Sequence, residues 1–363
     1  MSQRIIIAGG GTGGHIFPAI AVANAIKSVA PNASILFVGA QGKMEMEKVP
    51  QAGYHIKGLS IAGFNRSSLV KNIGLPFKLI KSFLQVRKIL RQFKPNAVFG
   101  VGGYSSYPVL RMAQASGIDT YLHESNAFAG KSNILLGKKA KKIFVAAAGM
   151  ETFFAAEKLM VTGNPVRSSI ANITATAAQG KSEFGLDPNK PVLFVMGGSL
   201  GAKSINEAIA SNLPALEAAG VQLLWQTGKP FLAEAKLAAL GKSNIWVGDF
   251  ITDMPLAYAA ADVVISRSGA MSVAELCMVA KPTIFVPYPF AAEDHQTANA
   301  MALVNQQAAM LITNHDAKDK LVSTALQLIT DVELCKQLSF NIKKMAKPNA
   351  DVTIAKFILQ HIK

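Results

Sequence analysis

The stretch RIIIAGGGTGGHIFPAIAVANA, residues 4–25, decides the fold. Its first five residues form an apolar run with no polar interruption after Arg4, which predicts a short strand buried on both faces. Glycines then turn the chain at residues 9–14, and Pro18 follows near the first turn of a predicted apolar helix. A strand, a glycine turn and a helix N-terminus together present backbone N–H groups to an anion or a polar ligand. His15 lies in that turn, beside whatever binds there.

The same glycines fit the G-x-G-x-x-G fingerprint of dinucleotide-binding proteins at residues 9–14. That fingerprint requires an acidic residue at the end of the second strand, roughly 20 residues further on. The predicted second strand, Ser34–Val38, ends without one, and the nearest carboxylates, Glu45 and Glu47, come too late. The sequence therefore disfavours NAD or FAD, and we expect no cofactor.

The composition is that of a globular protein with room for two domains. Half of the 363 residues are apolar, which is enough for two hydrophobic cores. No apolar run reaches the length that spans a membrane, and the N-terminal apolar run is too short for a signal peptide. Cys277 and Cys335 lie far apart and form no ligand cluster, so we expect a reduced, cytoplasmic protein.

The formal net charge of +15 requires an explanation. Nucleic acid is one candidate partner, but the sequence has no basic helix with base-reading residues and no aromatic stacking motif, so we expect no nucleic acid. An anionic membrane surface or a phosphorylated substrate explains the charge at least as well.

Short apolar strands alternate with helices through the first half of the chain, which predicts a parallel sheet. The predicted strands are Arg4–Ala8, Ser34–Val38, Ala97–Val101, Thr120–His123, Lys142–Ala146 and Leu159–Val161. Two of these strands lead into polar loops, at residues 102–106 and 123–126. Ligands of open parallel sheets bind at the carboxyl ends of the strands, so we expect these loops to meet the first glycine loop.

The pattern begins again after a proline-containing joint at residues 162–167. A buried strand at 191–196, a glycine turn and a helix repeat the order of the opening stretch, and further strands are predicted at Gln222–Gln226, Asn244–Val247, Val263–Ser266 and Thr283–Val286. We therefore predict an α/β fold of two doubly wound, Rossmann-like domains facing a central cleft. The expected domains span residues 1–163 and 164–340. A C-terminal helix within 341–363 is expected to pack back on the first domain.

The most specific stretch is VVISRSGAMSVAE, residues 263–275. Ser268 is the expected N-cap of a helix, and the N–H groups after Gly269 would face a diphosphate. Glu275 follows about two turns into this helix, where its two oxygens can accept both hydroxyls of a ribose. Its apolar neighbours indicate a largely buried helix, in which an unpaired carboxylate is costly.

A set of motifs recurs in the order of one bacterial enzyme family over nearly the whole chain. The motifs are GGTGGH at 10–15, GGY at 102–104, HESN at 123–126, GNPVR at 163–167, GGS at 197–199, RSGA at 267–270, Glu275 and DHQTANA at 294–300. With them the chain resembles the MurG family of UDP-N-acetylglucosamine-dependent N-acetylglucosaminyltransferases. The resemblance implies a GT-B fold, with the UDP-sugar held mainly by the second domain and a lipid acceptor by the first.

The implied reaction is the inverting transfer of N-acetylglucosamine from UDP-N-acetylglucosamine to lipid I, undecaprenyl-pyrophosphoryl-N-acetylmuramyl pentapeptide. Its product is the β-1,4 link of lipid II in peptidoglycan synthesis. The implied partners are these two substrates, an anionic membrane surface at the cytoplasmic face and other proteins of cell-wall synthesis. Two other readings stay open: a UDP-N-acetylglucosamine 2-epimerase with a similar donor site, and a non-catalytic nucleotide-sugar sensor that has no need of His15.

The resemblance also implies a set of substrate-binding residues. By motif position these are Thr12, Gly13, Gly14, Tyr104, Asn126, Arg167, Ser199, Ile251, Ala270, Met271, Ser272, Val273, Ala274, Glu275 and Gln296. In this assignment the backbone of Ile251 reads the uracil, Glu275 holds the ribose and Gln296 holds the sugar hydroxyls. Leu200 and Ser125 depart from the family, in which Gln is frequent at both positions.

The sequence contains no Asp-x-Asp pair, the metal-chelating arrangement of other sugar-nucleotide transferases. We therefore expect no metal at the site. The charge of the diphosphate would then be met by helix N-termini and backbone N–H groups.

Attack by an acceptor hydroxyl on the anomeric carbon needs a base for the hydroxyl proton. His15 has the expected location, and an unperturbed imidazole pKa near 6.5 suits neutral pH. Glu124 is the alternative base, with His123 and Asn126 as orienting neighbours. A purely positioning role for His15 also stays open.

Residues 73–93 carry two apolar stripes at helical spacing. The first stripe is predicted to be core and comprises Leu79, Phe83, Val86, Leu90 and Phe93. The second comprises Ile73, Phe77, Ile80 and Leu84, and we expect it to enter a bilayer. The cations expected to meet anionic headgroups are Lys71, Lys78, Lys81 and the KKAKK run at 138–142. The alternative is that both stripes are core.

Overall fold

The computed structural model describes residues 3–62, 74–198 and 200–362. They divide into two compact units, one drawn from the chain up to Arg167 and from Pro348 onward, the other from Ser168–Lys347. The joints anticipated from the sequence lie at 163/164 and 340/341, a few residues before each observed one. Each unit is built on its own sheet, and the described strands pair in parallel within both.

The two sheets share one strand order. The first contains β1 Arg4–Ala8, β2 Ser34–Ala40, β3 His55–Leu59, β4 Ala97–Gly100, β5 Asp119–Glu124, β6 Lys142–Val145 and β7 Leu159–Val161, in the order β3-β2-β1-β4-β5-β6-β7. The second contains β8 Val192–Met196, β9 Gln222–Gln226, β10 Ile245–Gly248, β11 Val263–Ser266, β12 Thr283–Phe285 and β13 Met310–Leu311, in the order β10-β9-β8-β11-β12-β13. The order reverses between β1 and β4 and again between β8 and β11, and such switch points are where open α/β sheets bind ligands.

Helices connect the strands and cover the sheets. They are α1 Gly13–Val29, α2 Glu45–Gln51, α3 Leu75–Phe93, α4 Ser106–Ala115, α5 Lys131–Gly137, α6 Ser168–Ala171, α7 Ala177–Glu183, α8 Lys203–Ser211, α9 Leu213–Ala218, α10 Leu232–Ala238, α11 Met254–Ala260, α12 Ala270–Val279, α13 His295–Val304, α14 Ala317–Thr330, α15 Val332–Lys344 and α16 Ala350–His361. The sequence predicted Pro18 near the first turn of α1. Helix α1 instead begins at Gly13, inside the glycine stretch, so Pro18 lies in its second turn. No helix of the described residues is long and apolar enough to cross a membrane.

Strand β1 has no polar face because it lies inside the first sheet, between β2 and β4. Its residues alternate between two apolar clusters, Ile5 and Ile7 on one face and Ile6 and Ala8 on the other. The first cluster also contains Ile354 and Ile358 of α16, which packs against α1. The last helix therefore completes the core of the first unit.

The predicted doubly wound α/β fold is confirmed, and every predicted strand is present to within two residues at each end. Two strands, β3 and β13, were not predicted. β3 alternates half-buried and exposed residues at the edge of its sheet, and β13 is a pair of residues at the edge of the other. Edge strands need no continuous apolar run, so this pattern gave them no signal.

Helix α3 separates the two apolar stripes. Val86 and Leu90 of the first stripe are buried in the core of the first unit, as predicted. Phe77, Ile80 and Leu84 of the second are 76, 59 and 63% exposed, so the alternative that both stripes are core is wrong for these residues. Ile73 and Lys71 lie outside the described residues.

The basic run at 138–142 is only partly exposed, which corrects the expectation that all of it faces headgroups. Lys141 pairs with Asp119 at 2.7 Å and also donates to the His361 carbonyl. Lys142 donates to the Glu157 carbonyl at 3.0 Å. Exposed cations of this region include Lys78, Lys81, Lys88 and Arg91 on α3 and Lys138 and Lys139 after α5.

Candidate active site

The first glycine loop ends where helix α1 begins. Thr12 occupies the N-cap position in an extended conformation, so His15 lies in the first helical turn and not in the loop itself. A 3.2 Å hydrogen bond joins Thr12 Oγ1 to His15 Nδ1. Gly13 and Gly14 form the helical residues between them, and the start of α1 therefore holds four of the predicted site residues together.

The loop after β4 packs directly against the loop after β1. Gly103 has φ +81°, and a Cβ there would lie 2.4 Å from the Gly10 carbonyl oxygen. At Gly102 a Cβ would lie 3.0 Å from His15 Nε2, so the imidazole rests against this backbone. Only glycine allows this approach of the two loops. The expected meeting of the first two loops is thus confirmed.

Tyr104 follows these glycines and is half-buried. Its hydroxyl is buried and has no hydrogen-bond partner among the described residues. Burial, and secondarily the charge of Glu45, raise the pKa of Tyr104 above its ordinary value. A neutral phenol with an unmet hydrogen bond is suited to a polar ligand group at this loop.

Glu124 ends β5 and organises the third loop. Its Oε1 accepts from the backbone N–H and side chain of Asn126 at 3.2 and 3.4 Å. Its Oε2 accepts from the backbone N–H of Gly130 at 3.0 Å and from Asn133 Nδ2 at 2.8 Å. The carboxylate is 4% exposed and accepts four hydrogen bonds, which matches the number of its lone-pair sites.

Burial and two nearby carboxylates have opposite effects on the pKa of His15. Burial lowers the pKa of His15 below 6.5, whereas the charges of Glu124 and Glu45 and a hydrogen bond to the Gly10 backbone oppose that shift. The imidazole is therefore uncharged at neutral pH, with one nitrogen unprotonated, which is the state that a general base requires.

His123 does not orient Glu124, in contrast to the expectation from the sequence. The ring is fully buried, with Nε2 3.3 Å from the Gly163 carbonyl and Nδ1 3.3 Å from Ser125 Oγ. Burial lowers the pKa of His123 to about 4, so the ring is neutral and links the third loop to the segment after β7. Ser125, one of the two departures from the family pattern, thus forms part of this buried link.

Arg167 closes the first unit. Its guanidinium stacks on the ring of Phe17 in α1, with 4.5 Å from Cζ to the ring centroid. The cation therefore lies on the helix that carries His15, close to the glycine loop.

In the second unit, a residue not anticipated from the sequence connects Gly198 of the GGS motif to Ile251, a predicted contact. Gln226, at the end of β9, is 4% exposed. Its Nε2 donates to the Gly198 carbonyl at 3.1 Å, and its Oε1 accepts from the backbone N–H of Ile251 at 3.2 Å. The backbone N–H of Ile251 is therefore already bonded, which leaves its carbonyl as the backbone group that could contact a nucleobase. Ser199 lies outside the described residues, and its neighbour Leu200 is 81% exposed.

The turn from β11 into α12 differs in one respect from the expectation. The N-cap is Gly269, not Ser268, because the Ser268 hydroxyl donates to the Gln296 carbonyl at 2.8 Å. The first intrahelical hydrogen bond runs from Val273 N–H to the Gly269 carbonyl. The N–H groups of Met271 and Ser272 thus point out of the helix end, where the dipole favours an anion.

Glu275 is 8% exposed and its carboxylate is held from behind. The hydroxyl of Tyr258, itself fully buried on α11, donates to Oε2 at 3.0 Å. Ala274 and Glu275 lie in the same helix as the turn that faces outward at Met271. The buried carboxylate is therefore partnered, as its environment requires.

Two further side chains shape this end of the second sheet. Gln296, in the first turn of α13, accepts from the backbone N–H of Tyr288 through Oε1 at 3.0 Å. Its Nε2 then faces away from that bond. Arg267 donates to the Val286 and Pro287 carbonyls, both at 2.9 Å, so it holds the ends of β11 and β12 together. Burial lowers the pKa of Arg267 to about 10, which leaves it charged at neutral pH.

Among the described residues, the predicted site residues of each unit therefore follow the carboxyl ends of that unit's strands. Among the described residues, no group of three or more His, Cys, Asp or Glu side chains is arranged to hold a metal ion.

Comparison with known proteins defines the class. The glycosyltransferase family 28 N-terminal domain matches residues 5–145, and the glycosyltransferase family 28 C-terminal domain matches residues 192–354. Two parallel doubly wound sheets with glycine turns at their switch points agree with that match. The chain is thus a glycosyltransferase of the GT-B class.

Full-length relatives define the family. The chain is 50% identical, over 98% of its length and 96% of the relative, to a Phocaeicola vulgatus UDP-N-acetylglucosamine–N-acetylmuramyl-(pentapeptide) pyrophosphoryl-undecaprenol N-acetylglucosamine transferase. The crystal structure of Acinetobacter baumannii MurG is 29% identical and aligns with a TM-score of 0.77 over 99% of both chains. A UDP-N-acetylglucosamine 2-epimerase, 13% identical with a TM-score of 0.63 over 99% of this chain and 95% of its own, shares the fold alone. The chain belongs to the MurG family.

Proposed function

We propose that the protein transfers N-acetylglucosamine from UDP-N-acetylglucosamine to lipid I, with inversion, and so forms the β-1,4 link of lipid II. The observation that carries this proposal is the 50% identity, over 98% of the chain, to a transferase named for that reaction. The local geometry supports it, because the described site residues of each unit follow the carboxyl ends of its strands.

The second unit binds the UDP moiety. The carbonyl of Ile251 meets the uracil, since Gln226 occupies its N–H. The N–H groups at the start of α12 meet the diphosphate, where charge-assisted hydrogen bonds are worth about 1.5–3 kcal/mol each and the helix dipole about 0.3–1 kcal/mol. Glu275, braced by Tyr258, accepts the ribose hydroxyls, and the amide nitrogen of Gln296 donates to the sugar.

The same helix end assists the departure of UDP. Negative charge develops on the diphosphate as the glycosidic bond breaks, and fixed N–H dipoles stabilise charge at no cost of reorganisation. Met271 and Ser272 supply these groups in the first turn of α12. Ser199 and Ala270 are the remaining proposed contacts in this region.

In the first unit, His15 takes the proton of the acceptor hydroxyl. Its lowered pKa keeps the imidazole neutral, and the hydrogen bond to Thr12 orients the ring. Glu124 is the weaker candidate because its carboxylate is buried and its oxygens already accept four hydrogen bonds. Its charge instead stabilises the imidazolium that forms during transfer. Tyr104, Asn126 and Arg167 complete the polar surroundings.

The first unit also supplies the membrane-binding surface. Phe77, Ile80 and Leu84 present an exposed apolar stripe on α3, flanked by Lys78 and Lys81. A helix with an apolar face beside cations binds the interface of anionic membranes, at about 1 kcal/mol per well-placed cation. A lipid-linked acceptor requires such a surface.

Product analysis tests the proposed reaction. The purified chain is incubated with UDP-N-acetylglucosamine and a short-chain lipid I analogue. Acceptor products are identified by mass spectrometry, and the UDP-sugars, whose epimers have equal mass, are distinguished by ¹H NMR. The proposal predicts release of UDP together with an acceptor heavier by one N-acetylhexosamine. Formation of UDP-N-acetylmannosamine without acceptor would indicate a 2-epimerase, and binding of UDP-sugar with no turnover would indicate a sensor.

A further inference from the structure

Glu45 is a buried carboxylate that has no assigned role in the proposed reaction. It is the first residue of α2 and is 1% exposed. Its Oε2 accepts from the backbone N–H of Gly11 at 2.9 Å, and its Oε1 accepts from the backbone N–H of Ala40 at 2.9 Å. One carboxylate thus joins the glycine loop after β1 to the end of β2.

The backbone around Glu45 is shaped to admit it. A Cβ at Gly10, where φ is +149°, would lie 2.4 Å from the carboxyl carbon of Glu45. A Cβ at Gly39 would lie 2.5 Å from its Cγ. The loop therefore closes over this side chain at van der Waals contact, and its path depends on the carboxylate that it encloses.

The loop that Glu45 holds leads directly into the helical turn that carries His15. Gly11 is bonded to Glu45, Thr12 is the N-cap of α1, and His15 bonds to Thr12. A shift of the Gly10–Gly11 backbone would move the imidazole, and misplacement by about 1 Å can cost 10²-fold in rate.

Glu45 also acts on His15 through its charge. The titratable groups that face the imidazole are Glu124 and His123 from β5 and Glu45 from α2, with Tyr104 on the neighbouring loop. Of these, His123 and Tyr104 are neutral at pH 7 because burial shifts their pKa values away from it. The two carboxylates therefore oppose the desolvation of His15.

We propose that Glu45 is a positioning residue for the transfer reaction: its carboxylate fixes the Gly10–Gly11 turn that places His15 and contributes, with Glu124, the negative charge that the imidazole meets. This inference rests on the proposed role of His15 as the base. The carboxylate acts through His15 and touches neither substrate.

The test compares the full-length chain with Glu45→Gln. Glutamine keeps the volume but removes the charge and presents an N–H₂ group to one of two backbone donors. We expect kcat to fall about tenfold or more while KM for UDP-N-acetylglucosamine changes less than twofold. The acid limb of the kcat profile should move to lower pH by at least about half a pH unit, because a lost negative charge makes the imidazole easier to deprotonate.

An NMR titration of the His15 imidazole measures the same effect without turnover. The resonance is identified by its absence in His15→Asn, and its midpoint should move in the same direction in Glu45→Gln. Glu47→Gln is the matched control, since Glu47 lies on the same helix, its side chain is 65% exposed and it bonds at the surface to Lys48 and Gln51. This control should leave unchanged the kcat, the acid limb of the kcat profile and the midpoint of the His15 titration.

Each outcome decides the inference. An unchanged His15 midpoint, or an unchanged kcat, in folded Glu45→Gln overturns it. If Glu45→Gln does not fold, Glu45→Asp replaces it: the retained charge should preserve the His15 midpoint while the shorter reach lowers kcat, and wild-type kcat would overturn the inference. Activity retained in His15→Ala would instead refute the proposed role of His15 as the base. The NMR titration of His15 in Glu45→Gln needs no turnover, so the two failures can be distinguished.

Discussion

The hydroxyl of Tyr258 donates a 3.0 Å hydrogen bond to Oε2 of Glu275, and both side chains are buried in the second unit. If Glu275 binds the ribose, Tyr258 contributes only by orienting it. We predict that Tyr258→Phe weakens UDP binding by about 1 kcal/mol and Glu275→Ala by about 1.5–3 kcal/mol. The double variant should bind no more weakly than Glu275→Ala alone, because the two residues act as one unit.

Isothermal titration of UDP into the four proteins of this cycle provides the measurement. Tyr54→Phe is the matched control, since its hydroxyl bonds to Asn24 at 2.7 Å on the first unit. Additive losses in the double variant, or unchanged affinity in Glu275→Ala, would mean that the ribose binds elsewhere.

The contact between Gly103 and the Gly10 carbonyl predicts a local stability effect. Gly103 and Gly117 have similar φ values, +81° and +72°, but a Cβ at Gly117 meets no atom within 4 Å. Both alanine variants suffer the cost of a left-handed backbone, and only Gly103→Ala also forces the two loops apart. We predict that Gly103→Ala lowers the free energy of unfolding by about 1–3 kcal/mol more than Gly117→Ala, measured by urea titration. Equal losses would show that the loops tolerate separation.

Buried His123 predicts a dependence of stability on pH. The pKa of its ring is about 4 in the folded chain and 6.5 in the unfolded chain, so the unfolded chain binds the proton first. The contribution of neutral His123 to the free energy of unfolding is complete above pH 6.5 and decreases as the pH falls toward 4, by up to about 3 kcal/mol.

The check is the urea midpoint at pH 7.5 and 4.5 for the wild type and His123→Gln. His15 contributes in the same direction in both proteins, so the difference between their slopes isolates His123. The variant should lose less stability over this range, and parallel slopes would contradict the buried neutral ring.

The exposed stripe of α3 predicts salt-sensitive membrane binding. Changing Ile80 and Leu84 to Ser removes apolar area that a bilayer would bury, and should weaken sedimentation with anionic vesicles roughly tenfold or more. Leu237 and Leu240, 74 and 78% exposed on the second unit, supply the matched double Ser control. Binding that ignores both the α3 change and added salt would rule out this surface.

Several features were readable from the sequence because they depend on local pattern. Continuous apolar runs predicted the inner strands, since such strands are buried on both faces. The glycine turns predicted the loops at the switch points, because close backbone approach allows few other residues.

Other features depend on side chains that meet only in the fold. Glu45 was rejected as a nucleotide ligand because it comes too late after the second strand, and that criterion could not show that its carboxylate bonds back to Gly11 of the first glycine loop. Gln226 lies on a strand and reaches a segment 25 residues away, so no spacing rule indicated it. Serine is a residue type that favours N-cap positions, but the hydroxyl of Ser268 instead donates to the distant Gln296 carbonyl.

We propose that the first unit supplies the base through His15 and not through Glu124. The most direct measurement is single-turnover transfer to a lipid I analogue by His15→Ala and Glu124→Gln, with UDP affinity measured alongside. We predict that His15→Ala slows transfer by about 10²–10⁴-fold with nearly unchanged UDP affinity. We also predict that the acid limb of the wild-type profile lies below pH 6.5, because burial lowers the pKa of His15. Near-normal transfer by His15→Ala together with complete loss in Glu124→Gln would contradict the claim.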